Sequence, residues 1–251
     1  MSFDIDISEE AGVRYLHFGS DWVQGAMRIA RPWSLELDYT RELMAPLLLR
    51  PDARWPKDVL VIGLGAGSVL KFLHRHRPEA RLTVVEIEPR VVAAARHHFK
   101  LPEEDARFHI EIGDGYDYVQ NSGRRFDLIL VDGFDPDGRA GVLDTLPFYL
   151  NCRARLADDG LLGVNLLSRR KDFRASVARI REAFGERALA FPSCDSGNAI
   201  AVAAVGETVD QGLEELKQSA TALRKTTGLN LLPTLARLAL AKSCSGGRLM
   251  L

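Results

Sequence analysis

The sequence predicts a doubly wound α/β fold, and three observations carry that expectation. Near-continuous apolar runs at 59–62, 82–85 and 126–131 suit strands buried on both faces of a parallel sheet. Stretches of helical periodicity separate them, the alternation that strand-helix-strand units require. Three glycines, Gly63, Gly65 and Gly67, follow the first run at once and precede a helical pattern at 69–76.

From the N-terminus, Phe3, Ile5 and Ile7 alternate with Asp4 and Asp6, and Val13, Tyr15 and Phe18 follow a turn at 10–12. Residues 1–38 therefore read as a short N-terminal β-hairpin region, too small to be stable alone. An extended link at 31–37 leads to a helix expected over 39–49, with Leu43, Leu47 and Leu48 on one side. Pro51 and Pro56 mark its end. After the glycines, helices are expected at 90–99, 116–120, 143–156 and 173–184, and strands at 108–112 and 160–167. Two last strands, 188–191 and 199–205, would close the sheet as a hairpin. Two amphipathic helices are expected within 209–241, completing a main unit over 39–241, and 242–251 is expected to be a flexible tail.

Bulk composition narrows the function. A chain of 251 residues with 46% hydrophobic and 27% charged residues is ordinary for a globular protein with a sizeable core. Its net charge of −1 supplies no global field toward nucleic acid or anionic membrane, so neither is expected as a partner. Cys152, Cys194 and Cys244 lie far apart, with no metal-ligand spacing, so no metal is expected and a reducing compartment is. The opening MSFDIDISEE has acids where a signal peptide needs a basic and then an apolar run. No apolar window has bilayer-spanning length, and the expected location is cytoplasmic.

The chemistry concentrates at strand ends. Glycines before a helix bring a ligand close to free N–H groups at the helix start. Glu86, 23 residues after Gly63 and at the end of the second apolar run, stands near the spacing at which nucleotide-binding units place an acid on ribose hydroxyls. The GxGxG spacing resembles the first motif of S-adenosylmethionine-dependent transferases more than the GxGxxG of NAD enzymes. Asp114, in GDGYDYV, suits both an acceptor for an adenine amino group and a helix N-cap. Asp132 and Asp135 fall on a strand-end turn, where like charges at short range raise a carboxylate into a range useful for accepting a proton; a solvated Asx-turn is the alternative there. The basic run Arg169, Arg170, Lys171, Arg174, Arg179 and Arg181 is expected to be a solvated helix face, and the histidines at 74, 76, 97 and 98 to be solvent-facing helix residues.

Together these segments resemble the polyamine aminopropyltransferases typified by spermidine synthase. VLVIGLGAGS looks like the family's glycine motif, VVEIEPRVV its ribose motif, GDGYDYV its adenine motif and DLILVDGFDP its catalytic loop. YTREL, from Tyr39, looks like a changed form of its tyrosine segment. The resemblance implies a Rossmann-like methyltransferase-type sheet and aminopropyl transfer from decarboxylated S-adenosylmethionine to a putrescine-like amine. Carried over by residue, it implies that Gly63, Gly65, Gly67, Glu86 and Asp114 hold the donor. Asp132 deprotonates the attacking amine, and Asp135 and Tyr39 bind the amine substrate. Family members are usually dimers or tetramers, which implies a homodimer.

The sequence departs from that family at three places. Ala66 stands where the family has an Asp that grips the donor's amino group, Thr40 with Arg41 beside it where a Gln or His follows the tyrosine, and Arg139 in place of a proline. Loss of an anion and gain of cations near cationic ligands weakens both by Coulomb repulsion. Two alternatives follow: a small-molecule methyltransferase using S-adenosylmethionine itself, with Ala66 making room for its carboxylate, and a catalytically silent nucleoside-binding homologue.

Overall fold

The computed structural model describes residues 3–20, 22–194, 196–241, 244 and 246–251. Strands β1 (Ile5–Glu10), β2 (Val13–Phe18) and β3 (Val23–Arg28) form an antiparallel sheet in that order. The expected hairpin thus gains a third strand. Its sequence hides it, because Gly25, Ala26 and Met27 are all buried and leave no alternation to read. Gly25 backs onto the glycine turn: a Cβ there would lie 2.6 Å from the Ala66 methyl.

The helix expected over 39–49 is two short ones, α1 (Asp38–Glu42) and α2 (Pro46–Leu49). Pro46 explains the break, since it has no N–H to donate and its ring clashes with the carbonyl four residues earlier, that of Glu42.

The main body then alternates: β4 (Asp58–Ile62), α3 (Ser68–His76), β5 (Arg81–Glu86), α4 (Pro89–His98), β6 (Phe108–Ile112), α5 (Gly115–Asn121) and β7 (Phe126–Val131). It continues through α6 (Leu146–Arg155), β8 (Leu156–Leu167), α7 (Phe173–Phe184), β9 (Ala188–Ala190) and β10 (Asn198–Ala204). One seven-stranded sheet results, in the order β6-β5-β4-β7-β8-β10-β9. It is parallel except that β10 runs antiparallel to both β8 and β9.

Both faces are covered, which is why the strands read as unbroken apolar runs. Val59 and Val61 pack with Leu70 and Phe72 of α3 and Val91 of α4, while Leu60 and Ile62 pack with Val119 of α5 and Phe148 of α6. The strand order reverses at β4, between β5 and β7. A crevice opens at such a reversal, beyond the carboxyl ends of the strands.

At the C-terminus β11 (Asp210–Gly212), α8 (Leu213–Thr227), α9 (Leu232–Leu240) and β12 (Arg248–Met250) follow. The tail expected to be flexible ends in a strand: β12 pairs with β11, and Leu251 exchanges backbone hydrogen bonds with Val209 at 2.9 and 3.0 Å. Burial of Leu249 and Leu251 holds it there. Of that tail, Lys242, Ser243 and Ser245 lie outside the described residues. Among the described residues no helix is long and apolar enough to cross a membrane.

Candidate active site

A cavity of about 970 Å³ occupies the crevice at the strand reversal. Gly63, Gly65, Glu86, Asp114, Asp132 and Asp135 all line it, so one space collects nearly every site residue expected from the sequence. Gly67 is not among the lining residues. It begins α3 in the left-handed conformation, φ 67°, and a Cβ there would strike Leu101. Its need for glycine is therefore local geometry and packing.

Gly63 lines the cavity and has a further task. At φ 93° its missing Cβ would collide with the Asp132 carbonyl oxygen. The bare backbone lets the end of β4 approach the end of β7, and the Asp132 N–H donates to the Ile62 carbonyl at 2.8 Å. The first glycine thus places the loop that begins at Asp132 as well as a wall of the cavity.

Glu86 ends β5, buried. Its carboxylate accepts from the backbone N–H of Leu64 at 2.8 Å and of Glu88 at 2.9 Å, one on each oxygen. Burial raises its pKa, and these N–H groups oppose the rise. The Ile87 N–H also bears on the carboxylate, and Glu86 lines the cavity with acceptor capacity left over, which fits ribose hydroxyls. Asp114 caps α5 by accepting from the Tyr116 N–H at 2.7 Å while lining the cavity. Both sequence-based roles are open to it, because a single oxygen serves the cap.

Asp132, just beyond β7, is the best-supported candidate for acid-base work. Its Oδ1 accepts from the Asn165 side-chain amide at 2.8 Å, and the Tyr39 hydroxyl also hydrogen-bonds the carboxylate. Burial pushes its pKa up, and the Asn165 and Tyr39 bonds pull against that. Burial, then the Asp132 charge, push the Tyr39 phenol well up. Tyr39 is thereby a fixed donor to a carboxylate poised to take a proton.

The loop after Asp132 is more self-contained than expected. Asp135 Oδ1 accepts from the N–H groups of Asp137 and Arg139 at 2.9 and 2.8 Å, closing its own turn. Arg139 stands exposed at the rim, 3.6 Å from Asp137. Arg41 is not among the lining residues: its guanidinium turns to the carbonyls of Leu35 and Glu36 and to Asp38. Thr40 donates to the Leu37 carbonyl at 2.6 Å. Arg41 therefore stands behind the cavity wall, paired with Asp38, which lines it.

Several lining residues escaped the sequence reading. Gln24 of β3, Asn165 of β8, and Asn198 at the start of β10 enter the cavity only through strand register. Arg169 and Arg170 line it as well, although the basic run reads as a solvated helix face. They precede α7 and sit in the loop after β8, at the carboxyl edge where this fold gathers ligands. Only that loop position could have flagged them. Ala66, 2% exposed, faces a narrow recess shared with Gln24, Tyr39 and Asp132, in which Asp132 is the only charged side chain among the described residues.

Residues 38–184 match the spermine/spermidine synthase domain. A polyamine aminopropyltransferase of Neisseria meningitidis serogroup A is 37% identical over 227 residues, covering 90% of this chain and 86% of that one. One from Chromobacterium violaceum is 34% identical over 248 residues, covering 99% and 94%. A solved spermidine synthase in complex with the transition-state analogue AdoDATO shares the fold with TM-score 0.68 at 24% identity, over 95% of this chain and 87% of that one.

Proposed function

The chain belongs to the spermine/spermidine synthase family, and on that premise we propose how its cavity moves an aminopropyl group from decarboxylated S-adenosylmethionine to a small amine. The carrying observation is Asp132, a carboxylate oriented by Asn165 and Tyr39 in the same cavity as the buried acid Glu86. Glu86 takes the ribose hydroxyls and Asp114 the adenine amino group. The base lies between the apolar side chains of Ile87, Val142 and Leu143, which line that end.

The sulfonium donor is already activated, so alignment and proton removal are what the protein adds. The amine lone pair attacks the aminopropyl carbon next to sulfur, the carbon-sulfur pair leaves on sulfur as a neutral thioether, and the amine proton passes to Asp132. Tyr39 holds the carboxylate and the amine in line. Asp135 and the rim of the loop receive the rest of the amine. Three free cysteines agree with a reducing, cytoplasmic setting. A homodimer is proposed on the resemblance.

The test is a mass-spectrometric screen of diamines and other amines against decarboxylated and intact S-adenosylmethionine, with calorimetry of both donors. Aminopropyl adducts and tighter binding of the decarboxylated donor support the reading. Methylated products sink it in favour of methyl transfer, and nucleoside binding with no product sinks it in favour of a silent homologue.

A further inference from the structure

We propose that Asn198, acting through Asn165, is a positioning residue for the Asp132 carboxylate, the two buried amides forming a one-way relay that fixes the base's orientation. The inference rests on Asp132 being the proton acceptor proposed above.

Asn165 is 4% and Asn198 8% exposed. In the antiparallel ladder Asn198 pairs with Leu167 and Asn165 with Ile200, so the two amides stand diagonally on one face of the sheet. Asn198 Nδ2 donates to Asn165 Oδ1 at 2.9 Å, and Asn165 Nδ2 donates to Asp132 Oδ1 at 2.8 Å. The Ser196 hydroxyl donates to Asn198 Oδ1 at 2.7 Å. An ionised carboxylate only accepts, so the far end of the chain fixes the direction of every link. Asn165 must turn its NH₂ to Asp132, and its Oδ1 then needs a donor. Asn198 is that donor.

Nothing in the packing asks for amides here. The residues that share their face of the ladder are Gly163, Leu167, Ile200 and Val202, all apolar, with Ile200 and Val202 fully buried, and an unpartnered buried amide is costly. Two amides persist in this apolar ladder where it meets the cavity, and each is satisfied only through the chain that ends on Asp132. Such chains polarise along their length, so a donor two links away strengthens the bond to the carboxylate. Without Asn198, Asn165 can flip its oxygen toward Asp132 and lose the bond. The relay also favours the ionised carboxylate, in opposition to burial.

The experiment follows Asp132 by carbon-13 NMR of side-chain carboxyls in the full chain, with Asp132→Asn to assign the signal. In Asn198→Ala the Asp132 midpoint is expected to rise by about half a pH unit or more, as in Asn165→Ala. The double variant is expected to match Asn165→Ala alone, because the residues act in series. With the amine identified by the screen, kcat is expected to fall about tenfold, KM to stay within about twofold and the acid limb of kcat to move to higher pH. An unmoved midpoint, or effects that multiply in the double variant, overturns the proposal. If Asn198→Ala melts early, Ser196→Ala serves: it removes the donor to Asn198, and an unmoved midpoint there overturns the relay equally. The NMR readout needs no turnover, so a failed relay and a failed transferase reading give different results.

Discussion

The Tyr39 hydroxyl hydrogen-bonds the Asp132 carboxylate, tying helix α1 to the end of strand β7 across the cavity wall. These residues belong to segments that pack on different parts of the sheet, so their meeting is a property of the folded chain. It joins the proposed base, Asp132, to a donor that orients it.

Asp132→Asn is expected to lower transfer by about 10²–10⁴-fold, because an amide cannot accept the amine proton. Nucleoside affinity is expected to stay within about twofold, since Glu86 and Asp114 are untouched. Tyr39→Phe is the milder change, with an expected loss of about tenfold in kcat. The tyrosine bond holds the Asp132 pKa down, so its removal lets that pKa rise. Activity needs the ionised carboxylate, and the acid limb of the rate profile therefore moves to higher pH. Steady-state rates across pH check the direction; a limb moving toward lower pH would remove the hydroxyl from this role.

The sheet was legible because strands buried on both faces cannot hide their apolar runs, and Glu86 and Asp132 were legible because each ends such a run. Gln24, Asn165 and Asn198 were not, since a polar residue inside a strand gains meaning only from the neighbour that register gives it. The break between α1 and α2 was readable from Pro46, which the leucine spacing overrode. β12 was not readable: three residues carry little local signal, and Leu249 is held by a partner strand distant in sequence.

Lys71 sits in α3, 1% exposed, with its ammonium donating to the Phe99 carbonyl at 2.6 Å. Burial lowers its pKa from 10.5 to about 7. The unfolded chain therefore takes a proton at higher pH than the folded one. Between pH 10.5 and 7 each step down in pH favours unfolding, and below about 7 the penalty is constant. Lys71→Met removes that penalty and leaves one carbonyl unpaired, for an expected net gain of about 1–3 kcal/mol at pH 6. Thermal melts at pH 6 and pH 10 check it: the variant's advantage should be present at the first and nearly gone at the second. Equal midpoints at pH 6 would show that the carbonyl bond offsets the whole cost of burial.

Position 66 is where donor preference can be tested, since Ala66 lines the recess. Apart from Asp132 the described residues of the recess are neutral, among them Gln24, Tyr39 and Ser68, so among them a donor ammonium meets one carboxylate and a donor carboxylate meets no cation. Ala66→Asp adds an anion facing that space. The ratio of the S-adenosylmethionine Kd to that of the decarboxylated donor is expected to rise about tenfold, as Coulomb attraction to the ammonium and repulsion of the carboxylate act together. Stability should fall by about 1–3 kcal/mol, because the methyl replaced is packed against Gly25 and the new charge is largely buried. Calorimetry of both donors on the folded variant measures the ratio. A ratio unchanged within error would place the donor's amino end elsewhere in the cavity, away from position 66.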